Sequence, residues 1–312
     1  METIKSNKIK TYKTIPDFRQ SKKWAKYLTK YGWVSYRTST GVNIEIKPYL
    51  LWSLVKIQRP HALNQQDLHE IEEICLKHKA LFIKIEPTLK QNIKLLKQNG
   101  YMPSYAPISP PSTLIIDLKK PKDVLWKEVT KSGRYGINRG RREGAIVEIY
   151  KNPNDEILKQ FHDIQLEASK ARHFYVQNFE DMKIKRDLFK EKAIVTMVKD
   201  LEGQINVSKF YLGYKNSVWY LHGGTANRGR KNKLGYTLIW DTLMFLKNEG
   251  YEFIDFDGVF DERFPNATKG WEGLSYFKEK FGGIRVEFPQ PYVKITSNFL
   301  KYSYKFTKTI PL

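Results

Sequence analysis

The sequence predicts an α/β (α+β) chain made of two related units with mixed sheets. Three observations lead there. A helix-then-strand succession occurs twice, once on each side of a proline-rich break. A strand–turn–strand signature lies between the two copies. No heptad run occurs, so no coiled-coil arm is expected.

The elements follow in chain order. Leu68, Ile71 and Cys75 form a helical stripe, and a strand follows over 81–85. The proline-rich stretch 103–111 interrupts the pattern. Residues 114–118 then read as a strand, and Lys119-Lys120-Pro121-Lys122 as a turn or linker. The domain boundary is placed there, giving 1–118 plus 288–312 as the first unit and 119–287 as the second. Ile157, Phe161, Ile164 and Ala168 fall at i, i+4, i+7 and i+11, the spacing of an amphipathic helix. Residues 207–214 and 218–222 read as strands joined by a turn at Lys215-Asn216-Ser217. In the second copy Ile239, Leu243 and Leu246 form a stripe that ends at Gly250, a helix-terminating glycine. A strand over 253–256 follows.

Composition narrows the function classes. The chain has 312 residues, enough for two domains of ordinary size. With 41% hydrophobic residues a packed core is expected and global disorder is not. The formal net charge of +21 attracts polyanions: nucleic acid, phosphorylated small molecules or anionic lipid. A solvated basic surface without a dedicated partner is the plain alternative. One cysteine, Cys75, rules out an internal disulfide framework and suits a helix core position. The first eighteen residues lack the apolar stretch of a signal peptide, and no apolar run is long enough to span a bilayer. A cytoplasmic protein is expected.

The densest charge lies in WKEVTKSGRYGINRGRREG, where Lys127, Lys131, Arg134, Arg139, Arg141 and Arg142 fall close together. On a helix, Lys127, Lys131 and Arg134 share a face. Gly133, Gly136 and Gly140 predict that such a helix is short. These cations suit a tRNA backbone or a pyrophosphate, or simply a solvated face.

Metal and nucleophile chemistry find no support. His61, His69 and His78 are too dispersed for a metal site, and no G-x-S-x-G elbow or Walker A sequence occurs. Acyl-CoA-dependent N-acetyltransferases carry Q/R-x-x-G-x-G/A before a helix, where backbone N–H groups cradle the pyrophosphate. Here Arg230-Lys231-Asn232-Lys233-Leu234-Gly235 stands in a comparable place. Lys233 replaces the central glycine, and its side chain is expected to crowd a cradle.

Further segments run the length of the chain. They are Phe18-Arg19-Gln20-Ser21 with Trp24 and Trp33; Ala80 to Pro87; Pro110 to Leu118; Trp126 with Arg134; Tyr220-Leu221-His222-Gly223-Gly224-Thr225; Asp255-Phe256-Asp257-Gly258-Val259; and Gly273 to Lys278 followed by Phe281-Gly282-Gly283. In this order they resemble the FemABX family of peptidoglycan peptidyltransferases. The chain looks like the compact kind without a helical arm. Three positions depart from the family's pattern. R-x-D-P reads Lys84-Ile85-Glu86-Pro87, Q-P reads Ser109-Pro110, and D-F-G-G reads Asp255-Phe256-Asp257-Gly258.

The resemblance implies two acetyltransferase-like (GNAT-type) domains with a cleft between them. It implies an aminoacyl-tRNA-dependent transferase acting on the stem-peptide amine of UDP-MurNAc-pentapeptide or lipid II. Aminoacyl-tRNA is a co-substrate, and no cofactor is implied. Peripheral contact with the inner membrane surface is compatible with such an acceptor. The first domain would bind the precursor and the second the aminoacyl-tRNA. The alternatives are a CoA-dependent N-acyltransferase on the same fold and a non-catalytic RNA-binding protein.

Ester aminolysis needs a neutral amine and a stabilised oxyanion. An ordinary lysine amine, with a pKa of about 10.4, is almost wholly protonated at neutral pH. Asp255 and Asp257 are candidates for taking its proton, or turn-capping residues beside Gly258. Lys278, to which the resemblance points, is the candidate for the oxyanion or for the tRNA 3′ end. Phe277 would stack on the terminal adenine or fill a core. Lys26 and Arg172 are assigned to the precursor phosphates, Arg134 to substrate phosphate, and Tyr220 and Tyr236 to the peptide groove. Each of these has an ordinary surface or core role as its alternative.

Overall fold

A computed structural model describes residues 15–172, 174–297, 300–302 and 304. The signal-peptide reading of the first residues therefore falls largely outside the described residues.

In chain order the elements are α1 (Lys22–Thr29), β1 (Val34–Arg37), β2 (Asn43–Pro48), β3 (Ser53–Gln58), α2 (Gln65–Lys77), β4 (Ala80–Glu86), α3 (Ile93–Gln98), β5 (Met102–Pro103) and β6 (Ser112–Asp117). Then come α4 (Lys122–Glu128), α5 (Lys131–Arg142), β7 (Ile146–Lys151), α6 (Asp155–Arg172), α7 (Phe179–Phe189), β8 (Ala193–Lys199), β9 (Ile205–Tyr214) and β10 (Ser217–Thr225). The chain continues with α8 (Leu234–Asn248), β11 (Phe253–Asp255), α9 (Glu272–Glu279), β12 (Ile284–Glu287) and β13 (Tyr292–Ile295).

Two compact units emerge. The first comprises 1–113, 258–271 and 286–312, and the second 114–257 and 272–285. Nothing in the sequence marks the segment 258–271 as part of the first unit. Its attachment there is tertiary: Val259 N–H donates to the Ser112 carbonyl at 3.1 Å, and the Asp261 carboxylate accepts from the Ser112 hydroxyl at 2.5 Å.

The first unit holds a six-stranded sheet in the order β1-β2-β3-β4-β13-β5. β3 and β4 are parallel and joined by α2, while β1/β2, β2/β3 and β4/β13 are antiparallel. α2 begins at a capping box. The Asn64 side chain accepts from Asp67 N–H, and the Asp67 carboxylate accepts from Asn64 N–H, each at 2.9 Å. Its Leu68, Ile71 and Cys75 pack on Ile44, Ile46, Val55, Ile57, Ile83 and Ile85 of the sheet. Each such aliphatic side chain contributes about 1.5–3 kcal/mol by leaving water. Burial pushes the Cys75 thiol up to about 12.

The second unit holds a seven-stranded sheet in the order β12-β6-β11-β10-β9-β8-β7. β7 to β10 form an antiparallel meander, and β10 and β11 are parallel and joined by α8. The two helix-then-strand copies therefore occupy equivalent places, each completing a parallel crossover. Gly250, at φ 81°, follows the end of α8, as the sequence predicts. The hairpin also forms, with Tyr214 opposite Ser217 and Lys215 in the left-handed region at φ 52°.

Two local expectations change. Along α6, Leu158 rather than Ile157 takes the first buried place, with Phe161, Ile164 and Ala168. α5 is a full helix of 12 residues and is not shortened by its glycines. A Cβ on Gly136 would fall 2.7 Å from the Tyr236 ring, and one on Gly140 would fall 2.3 Å from the Thr237 hydroxyl. Gly136 and Gly140 form the seam along which α5 and α8 approach, and this packing outweighs their low helix propensity.

Candidate functional site

The candidate site lies in the second unit, and its location follows from the strands. The parallel ladder of β10 with β11 covers only Ser217–Trp219 against Phe253–Asp255. β10 continues to Thr225 after an irregularity between Tyr220 and His222, whereas Phe256 stays with β6, its N–H donating to the Leu114 carbonyl at 2.9 Å. The β10–β11 ladder thus ends at the carboxyl ends of two parallel strands, where α/β sheets place ligands.

Lys278 enters this region from α9. Its ammonium donates to the Phe256 carbonyl at 2.6 Å and, less closely, to the Asp257 carbonyl at 3.4 Å. The side chain is buried, and burial lowers its pKa to about 8 against the supporting charges of Asp257 and Asp255. Its Nζ lies 5.2 Å from the centre of the Tyr220 ring.

A second lysine, which the sequence analysis did not single out, reaches the same ring. Lys209 on β9 places its Nζ 5.0 Å from the Tyr220 ring centre and 6.0 Å from that of Phe277. It stands opposite Gly223 in the ladder. A Cβ on Gly223 would fall 2.8 Å from Lys209 Nζ and 2.4 Å from the Tyr220 hydroxyl oxygen. The glycine thus leaves the space that both groups share. A Cβ on Gly224 would fall 2.7 Å from the Ile164 carbonyl, so the second glycine admits the backbone of α6. Burial, with repulsion from Lys278 and Arg172, lowers the Lys209 pKa to about 7. The available sequence signal was one cation in a strand whose other residues are mostly apolar, Val207 to Leu212.

Around this pair the unit is cationic. Lys185 on α7 is buried and donates to Gln177 Oε1. Burial, helped by the Lys185 charge, holds His222 neutral, well below the ordinary histidine range. Arg172 is exposed at the end of α6.

The other predicted residues are placed as follows. Asp255 is buried at the end of β11, and its carboxylate accepts from Asp257 N–H at 2.7 Å, while Asp257 adopts φ 41°. This is the turn-capping geometry that was the alternative for the pair. Tyr220 is buried, and burial holds its hydroxyl well above its ordinary pKa. Phe277 meets Tyr236 at 4.9 Å between ring centres, and Phe281 adjoins both. The Arg134 guanidinium donates to the carbonyls of Trp126, Lys127 and Val129, closing the end of α4. Arg141 and Arg139 pair with Asp241 and Glu143, while Lys131 and Arg142 are exposed. Lys233 sits in the left-handed region at φ 52° before α8, and its ammonium lies 5.5 Å from the centre of the Tyr135 ring. Lys233 therefore occupies a backbone conformation that ordinarily favours glycine.

In the first unit Lys26 is exposed on α1. That unit has its own buried charges. Glu45 lies in register with Lys56, whose ammonium sits 4.2 Å from the Trp33 ring centre. Burial raises Glu45 to about 7 and lowers Lys84 to about 8. Glu86 accepts from the N–H groups of Ile108 and Ser109 at 2.6 and 2.8 Å, so the departure from R-x-D-P keeps a carboxylate that fixes the proline-rich loop.

No family model and no curated protein matches the sequence. Solved structures do. The chain is similar to FemX, at 17% identity and TM-score 0.79, over 98% of each chain. It is also similar to L-PGS from Bacillus licheniformis, at 15% identity and TM-score 0.61, over 94% of this chain and 96% of that one. A tandem GNAT protein from the clavulanic acid biosynthesis pathway matches at 10% identity and TM-score 0.51, over 83% and 81%. The fold is that of two GNAT-type domains in a FemX-like arrangement of strands and helices.

Proposed function

We propose that the chain is an aminoacyl-tRNA-dependent aminoacyltransferase that extends the stem-peptide amine of a peptidoglycan precursor. The observation that carries this reading is the convergence of Lys278 and Lys209 on Tyr220, beyond the end of the β10–β11 ladder. The likeness of the fold to FemX and the ordered sequence segments support it.

The chemistry needs two differently protonated groups, and the two lysines supply them. Lys278, on two backbone carbonyls and near Asp255 and Asp257, is the better placed to keep its proton. It faces the oxyanion that forms when the amine adds to the ester carbonyl; one such donor is worth about 3–4 kcal/mol. Lys209, depressed by burial and two nearby cations, is the neutral amine that accepts the proton from the attacking nitrogen. The new C–N bond forms, the C–O bond to the tRNA ribose breaks, and the released ribose oxygen takes up a proton. Asp255 and Asp257 act by holding Lys278 charged, a different role from taking the proton themselves. Phe277 and Tyr236 form an aromatic wall for the terminal adenine, and Tyr220 is the surface both lysines share. Lys26 and Arg172 remain the residues proposed for the precursor phosphates. Arg134 is proposed to hold α4, leaving phosphate contact to Lys131 and Arg142.

The test is transfer of radiolabel from a pool of charged tRNAs to UDP-MurNAc-pentapeptide or to lipid II, with acetyl-CoA as a parallel donor. RNase-sensitive transfer to either acceptor is expected. Transfer from acetyl-CoA alone would replace this reading with the N-acyltransferase one, which the left-handed backbone at Lys233 favours. No transfer from charged tRNA to either acceptor would overturn the proposal.

A further inference from the structure

One end of the first unit combines features that its fold does not require. The register pairs Val34 with Ile46, Pro48 with Ser53, and Ser53 with Ala80. The start of β1, the β2–β3 turn and the start of β4 therefore lie along the same end of the sheet. The turn is tight: Tyr49 N–H donates to the Trp52 carbonyl at 2.8 Å, and the two rings stack at 4.3 Å. Leu50 and Leu51 occupy its corners and are 97% and 73% exposed. Tight turns favour Gly, Asn, Asp, Pro or Ser, and a leucine pair offers none of their backbone advantages. Neither leucine has a left-handed φ. A local rule broken without a gain in folding points to function.

The surroundings extend the patch. Ser53 N–H donates to the Lys79 carbonyl at 3.1 Å and its hydroxyl to the His78 carbonyl at 2.7 Å, so the end of α2 lies against the base of the turn. There Leu76 is 80% exposed. Tyr31 and Val34 are exposed as well, and Lys47 donates to the Tyr31 carbonyl. The segments 18–44, 46–66 and 74–85 contain no Asp or Glu. They carry exposed Lys30, Lys77 and Lys79 and half-buried Lys47. Glu45 is buried within the sheet, and Glu73, one turn back on α2, sits beside His69.

We propose that this end of the first unit is a membrane-docking surface whose tip inserts Leu50 and Leu51 into an anionic lipid bilayer. Tyr49 and Trp52 stand where aromatic rings settle, at the boundary between headgroups and acyl chains. The lysines meet the anionic headgroups. A second copy of the chain is a poorer occupant, because a two-fold contact would bring these lysines against their own equivalents. The surface does not depend on the transfer reaction, and its test involves no turnover, so either proposal can fail without the other.

The experiment is co-sedimentation of the full chain with phosphatidylcholine vesicles containing roughly one-third phosphatidylglycerol, and with phosphatidylcholine alone. Binding to the anionic vesicles that weakens with added salt is expected. The Leu50→Ser/Leu51→Ser variant should bind ~tenfold or more weakly, with an unchanged circular dichroism spectrum, since both side chains are exposed. A Lys30→Glu/Lys77→Glu/Lys79→Glu variant should also lose binding. Failure of the wild-type chain to bind anionic vesicles would overturn the proposal, as would equal binding by the leucine variant. A concentration-dependent dimer abolished by the leucine change, without vesicle binding, would assign the patch to a second copy.

Discussion

Lys209 and Lys278 approach the same tyrosine ring from different elements, and their surroundings treat them differently. Lys278 has carbonyl acceptors and nearby carboxylates, whereas Lys209 is pressed by burial and by two other cations. The pKa of Lys209 falls from 10.5 to about 7 on folding. The unfolded chain therefore binds more protons between these values, and stability rises with pH across that window. The cost of burying Lys209 is fully present below about pH 7. Lys209→Met is expected to raise stability at neutral pH, by on the order of 2 kcal/mol or more, while lowering turnover. Thermal melts and transfer rates on the same variant check this, and a variant that loses stability would remove the buried-cation argument. The wild-type rate should rise through about pH 7, as Lys209 loses its proton, and fall above about pH 8, as Lys278 does. Lys209→Arg keeps the charge but cannot accept a proton, so it should not restore the rate. Lys278→Met should cost at least ~tenfold in turnover, the effect of losing about 1.4 kcal/mol of transition-state stabilisation. Near-normal turnover in that variant would end its assigned role.

At the level of elements, helix propensity and packing disagree along α5. Replacing a helical glycine with alanine ordinarily gains about 1 kcal/mol. Gly136 instead faces the Tyr236 ring, which is itself backed by Phe277 and Phe281. Gly136→Ala is expected to destabilise the protein by about 1–3 kcal/mol, the usual cost of overpacking. Urea unfolding measures it, and a stabilised variant would mean the seam is loose. Propensity alone misjudged the length of α5, because the space that Gly136 and Gly140 vacate is filled by Tyr236 and Thr237 of α8, distant in sequence. The stripes of α2 and α8 were legible for the opposite reason. Their stripe residues are buried as local periodicity predicts, and each helix closes a crossover between parallel strands.

For the whole molecule, the charge of +21 makes a prediction that a single residue cannot. If the exposed lysines and arginines meet tRNA phosphates, affinity should fall at least ~tenfold between low and physiological salt, with a linear log–log plot. Filter binding over a salt series reads this directly. A flat profile would leave the charge as a solvated surface. Among the described residues no helix is long and apolar enough to cross a membrane. The lipid contact proposed above is therefore one of surface and turn.

The sequence by itself determined the two α/β copies, the hairpin and the glycine end of α8. These depend on periodicity, turn chemistry and residue order, which are local. Only the tertiary structure decided the partners of those residues. It engaged Arg134 at the end of α4, gave Asp255 a turn to cap, and joined residues 258–271 to the first unit. It also brought Lys209 from β9 and Lys278 from α9 to the same Tyr220 ring. Burial and electrostatic repulsion depend on neighbours distant in sequence, so a lysine that reads as one more surface charge has its pKa lowered only once the strands and helices close around it.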